Sequence, residues 1–218
     1  MSDRRQRLLR AHLYLVCGAQ PDAFLHAALR GGVDIIQLRM KDADDKRIMA
    51  AARRFRSACT AHDALFILND RPDLVEETDA DGVHVGQDDT PVGRARELVG
   101  PRRIVGLSTH APEQIDVAAA SACDYIGVGP VHETPTKPGQ PPVGTGLVRY
   151  AASHTELPFF AIGGVALSNV AAIHAAGAVR VAVVRALTEA SDPQLVARKL
   201  REAVARECAD TQVRVGAA

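Results

Sequence analysis

Gln37-Leu38-Arg39-Met40-Lys41 is the segment of this chain best equipped for chemistry. It continues an apolar run, Val33-Asp34-Ile35-Ile36, that reads as a strand. Side chains alternate faces along a strand, so Gln37, Arg39 and Lys41 project together while Ile36, Leu38 and Met40 take the other face. An amide, a forked guanidinium and a compact ammonium at one strand end suit an anion, a phosphate or diphosphate above all. The alternative is a solvated loop carrying ordinary surface charge.

Carboxylates recur at two later strand ends. One strand runs into Asn69-Asp70, and the next carries His84 before Gly86-Gln87-Asp88-Asp89. Magnesium takes one or two carboxylates and completes its octahedron with phosphate oxygens and water, so Asp70 and Asp89 are the candidate metal ligands. The alternative is that Asp70 caps the helix expected at Arg71-Pro72, and Asp88 or Asp89 the helix after Pro91. His84 lies at the same end, as a base, a substrate hydrogen-bond partner or a packed core residue. Ser108-Thr109-His110 ends a further strand, where a hydroxyl can meet a phosphate or a ring, or cap the helix at Pro112. His110 and His132 lie near these loops with no role assigned. His26, His62, His154 and His174 fall in helical patterns and are expected at the surface.

The sixth strand leads into Gly129-Pro130-Val131-His132-Glu133-Thr134-Pro135-Thr136-Lys137-Pro138-Gly139. A connection of about 16 residues is long for a compact barrel and reads as a lid or binding loop, with Thr134, Thr136 and Lys137 offering hydroxyls and a cation. Gly163-Gly164 after the seventh strand lets backbone N–H groups approach an anion, and Val184-Arg185 ends the eighth. The chain thus carries two anion sites, which two phosphorylated substrates would account for, one of them a diphosphate. Cations and magnesium would stabilise charge on a departing diphosphate.

The elements that must hold these residues alternate from end to end. Strands are expected at Leu13–Cys17, 34–38, 65–68, Gly82–Val85, 103–107, Tyr125–Val128, 158–162 and 180–184, starting roughly 17 to 33 residues apart, the spacing of repeated βα units. Helices are expected at 43–61, 112–121 and 167–176, the last ending at Gly177, and from Asp192-Pro193 onward. Eight such units predict a single (β/α)8 TIM barrel, an α/β fold whose active site lies at the carboxyl ends of the strands. A doubly wound sheet is the structural alternative. The whole chain, 1–218, is expected to be one domain with a core from about 11 to 207 and short flexible termini.

Composition narrows the class. Formal net charge is zero, which does not suit a nucleic-acid partner. Hydrophobic residues make up 47% of the chain, the level of a globular domain, without the run of about 18 apolar residues that a membrane span needs. Residues 1–10 are basic but lack a signal peptide's apolar stretch, and read as a frayed end or a helix start. Cys17, Cys59, Cys123 and Cys208 have no knuckle or redox spacing and fit buried thiols in a reducing cytoplasm. Tryptophan is absent, which argues against a platform for stacked bases.

With these residues placed, the chain resembles the thiamine phosphate synthase family from position 13 to about 201. The motifs are Q-L-R-M-K-D, N-D-R, G-V-H-V-G-Q-D-D, G-L-S, G-P-V-H-E-T-P-T-K-P-G, A-I-G-G-V and A-V-V-R-A. The resemblance implies a transferase that joins 4-amino-2-methyl-5-hydroxymethylpyrimidine diphosphate to 4-methyl-5-(2-phosphoethyl)thiazole and releases diphosphate by a dissociative route. It implies pyrimidine-diphosphate binding over Gln37, Leu38, Arg39, Met40 and Lys41 and at Asn69, Ser108 and Lys137. It places Mg2+ on Asp70 and Asp89, and the thiazole phosphate at Thr134, Pro135, Thr136, Gly164, Val184 and Arg185. Arg39, Lys41, Ser108 and Lys137 are the residues expected to serve catalysis.

Two positions depart from the family pattern. Met40 replaces an acid found in many members, and Arg185 a serine. Other readings are a thiazole tautomerase on the same scaffold, a barrel epimerase of sugar phosphates, and a non-catalytic thiazole-phosphate binder. A homodimer is an allowed assembly, with no interface located.

Overall fold

The computed structural model describes residues 3–134 and 141–215, with side chains described as far as Val204. Eight parallel strands close into one barrel in sequence order. They are β1 (Leu13–Cys17), β2 (Ile35–Leu38), β3 (Leu65–Asn69), β4 (Gly82–Val85), β5 (Ile104–Thr109), β6 (Tyr125–Val128), β7 (Phe159–Ile162) and β8 (Val181–Val183). Around them run α1 (Asp3–Arg10), α2 (Asp22–Arg30), α3 (Asp45–Ala61), α4 (Val92–Val99), α5 (Pro112–Ala119), α6 (Gly144–His154), α7 (Val170–Ala175), α8 (Arg185–Thr188) and α9 (Pro193–Val215). The closed barrel is the expected fold, and the doubly wound alternative is excluded by β1 pairing with β8.

Helix formation follows local chemistry. In α3 the Asp44 carboxylate accepts the Arg47 N–H at 2.8 Å, so the helix starts two residues later than the pattern suggested. Ile48, Ala51, Ala52, Phe55, Ala58 and Cys59 recur at helical spacing and are all buried against the barrel. Phe55 meets Phe66 of β3 with ring centroids 6.0 Å apart. Burial of a side chain of this size contributes about 1.5–3 kcal/mol. Asp192 caps α9 through the Leu195 N–H at 2.9 Å, with Pro193 as the first helical residue, as expected. His174, expected at the surface, is buried on α7 at 8% exposure.

The strands separate two cores. Leu15, Ile36, Leu38, Phe66 and Val83 face the helices. Ile35, Leu65, Ile67, Ile104 and Phe160 fill the barrel. Each strand thus alternates between two apolar layers, which is why the strands read as near-continuous hydrophobic runs.

Three aspartates organise the amino-terminal end of the barrel. Asp34, Asp81 and Asp124 each stand immediately before an even-numbered strand, β2, β4 and β6. Asp34, expected within its strand, instead accepts the N–H groups of His12 and Leu13 at 2.8 and 2.9 Å. Asp81 accepts from Phe66 N–H at 2.9 Å and Asp124 from Val105 N–H at 2.8 Å. Each thereby satisfies a backbone donor at the start of the preceding odd strand. Arginines complete the sites: Arg201 on Asp34, Arg4 and Arg56 on Asp81, Arg5 and Arg96 on Asp124. Arg4 and Arg5 belong to α1, so the basic opening segment is a helix fastened beneath the barrel rather than a frayed end. Among the described residues, no helix is long and apolar enough to cross a membrane.

Candidate active site

A cavity of about 360 Å³ opens at the carboxyl ends of the strands, where the fold predicted it. Gln37, Arg39, Lys41, Asn69, Asp70, His84, Asp89 and Ser108 line one side of it; Thr134, Gly164, Val184 and Arg185 also line it. Leu38 and Met40, placed with the substrate-binding residues, do not line it. Leu38 is 1% exposed in the outer core and Met40 packs against that core, because alternation turns both away from Gln37 and Arg39. Pro135, Thr136 and Lys137 lie outside the described residues.

Asp70 and Asp89 converge on Lys41. The Lys41 ammonium lies 2.9 Å from Asp70 Oδ2 and 3.8 Å from Asp89 Oδ1. Asp70 has φ of 60°, the left-handed region that Asp tolerates better than most residues, and its N–H donates to the His84 carbonyl at 2.9 Å. Asp89 accepts the Gly86 N–H at 2.8 Å, closing the loop after β4. Neither aspartate caps a helix. After Asp70 comes only a 3-10 turn at Pro72–Leu74, and α4 has no side-chain cap. Partial burial pushes the Asp70 carboxyl upward. Lys41 draws it back and the neighbouring Asp89 carboxylate raises it again, for a net rise.

This pair fits a magnesium ion that shares its shell with substrate. Two adjacent carboxylates repel each other, and burial adds to the cost, so a cation between them is favoured. No cluster of three or more His, Cys, Asp and Glu residues able to hold a metal occurs among the described residues. The donor set therefore suits an ion that keeps water or phosphate oxygens rather than a closed protein cage. Among the described residues, Asn69 Nδ2 at the same rim is buried without a hydrogen-bond partner, and Arg39 forms no ion pair.

Below the rim the barrel carries a polar network. Gln37 Nε2 donates to Tyr14 Oη at 2.7 Å, and the Tyr14 and Tyr125 hydroxyls are 2.8 Å apart. His84 joins Tyr125 Oη through Nδ1 at 3.0 Å and Ser108 Oγ through Nε2 at 2.9 Å. Register explains the meeting. His84 pairs with Gly106, and Gly106 with Tyr125. A Cβ on Gly106 would lie 2.2 Å from Tyr125 Cζ, so the missing side chain is what lets the tyrosine reach the histidine. Ser108 sits on β5 rather than capping α5, whose N-cap is Ala111. Burial raises both tyrosine hydroxyls above their ordinary range.

The opposite wall is backbone. Gly163 and Gly164 have φ of 98° and 64°, and a Cβ on Gly164 would lie 2.7 Å from His132 Cβ. Only glycine fits this turn against the β6 loop. Arg185 and Ala186 open the short α8 beside it, a place where barrels often seat phosphate. His110, expected near these loops without a role, also lines the cavity; Glu189, Tyr14, Tyr125 and Phe160 line it too and were not foreseen. Their signal was present for the tyrosines: two of the chain's three lie in strands, in register with the inward face.

The family model described as thiamine monophosphate synthase matches residues 13–187. A thiamine-phosphate synthase of Nostoc sp. strain PCC 7120 is 48% identical over 199 residues, covering 90% of this chain and 57% of that protein. One of Gloeobacter violaceus is 49% identical over 193 residues, covering 88% and 57%. The chain therefore spans 57% of the length of these curated relatives. A solved thiamine phosphate pyrophosphorylase of Pyrococcus furiosus superposes with a TM-score of 0.83 at 30% identity, over 93% of this chain and 98% of that one. With the family model covering most of the barrel and a solved relative matching nearly its full extent, the chain belongs to the thiamine monophosphate synthase family.

Proposed function

We propose that this chain joins 4-amino-2-methyl-5-hydroxymethylpyrimidine diphosphate to 4-methyl-5-(2-phosphoethyl)thiazole, giving thiamine phosphate and diphosphate. One observation carries the reading: Lys41, Asp70 and Asp89 cluster at three adjacent strand ends, in the same cavity as the Gly163-Gly164 turn and Arg185. A diphosphate and a separate phosphate can be held there at once.

In this reading the forked guanidinium of Arg39 and the Lys41 ammonium grip the diphosphate. Asp70 and Asp89 hold Mg2+, which when bound adds Lewis-acid stabilisation of the charge on the leaving group. The C–O bond to diphosphate breaks, leaving a pyrimidine methylene cation. The thiazole nitrogen then forms the new C–N bond. Tyr14, Tyr125 and Phe160 enclose the ring and limit water. The thiazole phosphate rests against Gly164, Val184 and Arg185, with Thr134, Pro135 and Thr136 contributed by the β6 loop, whose Lys137 serves the diphosphate. No protein nucleophile is required. Cys17, Cys59 and Cys123 are buried, and none lines the cavity; the Cys59 thiol is pushed up to about 12 by burial. Free, buried thiols suit a reducing cytoplasm.

The test is diphosphate release with both substrates, in magnesium and in excess chelator. Release that needs the metal and the thiazole phosphate, with thiamine phosphate identified by mass, is expected. No release from folded protein would overturn the reading in favour of a tautomerase or a binder.

A further inference from the structure

The buried network has a direction. The structure orients Gln37 so that its Nε2 donates to Tyr14 Oη. Tyr14 is 2% exposed, and its hydroxyl has no described partner besides Gln37 and Tyr125, so its own proton goes to Tyr125. Tyr125 is 0% exposed and accepts that proton, which leaves its O–H to donate to His84 Nδ1. An accepting Nδ1 makes His84 a neutral imidazole with hydrogen on Nε2. That Nε2–H donates to Ser108 Oγ, and the Ser108 proton is left over.

We propose that Gln37, Tyr14, Tyr125 and His84 form a one-way hydrogen-bond chain that fixes His84 as the Nε2–H tautomer and presents Ser108 to the cavity as a hydrogen-bond donor. Tyr14, Tyr125 and His84 are then positioning residues that act through Ser108. The group that Ser108 meets must be an acceptor. Resting on the function proposed above, that acceptor is a ring nitrogen of the aminopyrimidine. A hydroxyl free to rotate would accept or donate equally well; this one is committed. Burial supports the assignment, because it keeps both tyrosines protonated. Gly106 is part of the device, since any larger residue would separate Tyr125 from His84.

The first test is spectroscopic and needs no substrate. Two-bond 1H–15N correlation on protein with 15N-labelled histidine, with the His84 signal assigned by its loss in His84→Asn, distinguishes the two tautomers. At pH 8 the Nε2–H form is expected. In Gln37→Glu the carboxylate only accepts, so every donor reverses and His84 should switch to Nδ1–H. Wild type already in the Nδ1–H form, or one tautomer in both proteins, would overturn the chain's direction whether or not the protein releases diphosphate.

The second test reads recognition. A pyrimidine diphosphate with the acceptor nitrogen replaced by C–H should bind wild type about tenfold more weakly than the parent, and Ser108→Ala should bind the two alike. An undiminished preference in Ser108→Ala would overturn the donor assignment. Tyr125→Phe, checked by thermal melting, should raise KM for the pyrimidine diphosphate several-fold with a smaller change in kcat. Should that variant not fold, Tyr14→Phe reads the same link, and an unchanged KM in the folded variant overturns it.

Discussion

Lys41 and Asp70 form an ion pair at 2.9 Å across the ends of β2 and β3. The pair places one ammonium where two carboxylates meet, since Asp89 is 3.8 Å away on the other side. If Asp70 and Asp89 hold the metal, Asp89→Ala should lower magnesium-dependent turnover by about 100-fold, and Asp70→Asn should raise the magnesium needed for half-maximal rate about tenfold or more. A magnesium titration of steady-state rate checks both. Full activity of Asp89→Ala across the titration would remove it from the metal site.

Gly106→Ala tests the meeting of His84 and Tyr125. The new methyl would lie 2.2 Å from Tyr125 Cζ and 2.5 Å from its hydroxyl, so the ring must move. Overpacking of this kind costs about 1–3 kcal/mol. A lower melting temperature together with reduced turnover is expected; calorimetry and the diphosphate assay measure the two effects.

Asp81 predicts how the barrel responds to acid. Burial pushes its carboxyl up, but the Phe66 N–H, Arg56 and Arg4 outweigh that and hold it below its ordinary value of 3.8. A lowered folded-state pKa contributes stability that is present above the unfolded value and lost as pH falls through the folded one. Asp81→Asn should therefore cost about 3 kcal/mol at neutral pH. The gap to wild type should narrow once pH drops below about 4. Denaturant titrations at a series of pH values would show it, and a gap independent of pH would rule the carboxylate out as its source.

Lys137→Ala should lower turnover at least about tenfold, if its charge serves the departing diphosphate. The circular dichroism melt should not change. A collapsed melt would assign Lys137 a structural role instead.

What could be read in advance, and what could not, follows from range. The eight strands, the Asp192 cap and the convergence of Arg39, Lys41, Asp70 and Asp89 follow from local pattern and strand order, both of which are written along the chain. The Tyr14–Tyr125 hydroxyl contact joins residues 111 positions apart and depends on register around the closed barrel. So does the link from His84 to Ser108. Asp34 looked like a strand residue because it sits in an apolar run; its carboxylate is instead used by the backbone of β1. Leu38 and Met40 fell with the site by adjacency, although their alternation already pointed outward.

The aspartates beneath the barrel bear on the order in which the chain assembles. Arg4 finds Asp81 77 positions later, and Arg5 finds Asp124 119 positions later. Asp34 is matched by Arg201, 167 positions on. Contacts of such separation form after local ones, because the loops they close must be ordered first. Helix α1 is thus a latch that cannot engage fully until the chain has been ordered as far as Asp124, at the start of β6. Deleting residues 3–10 would leave Asp81 and Asp124 with one arginine each, Arg56 and Arg96, and the loss would fall at the starts of β4 and β6, far along the chain from the cut.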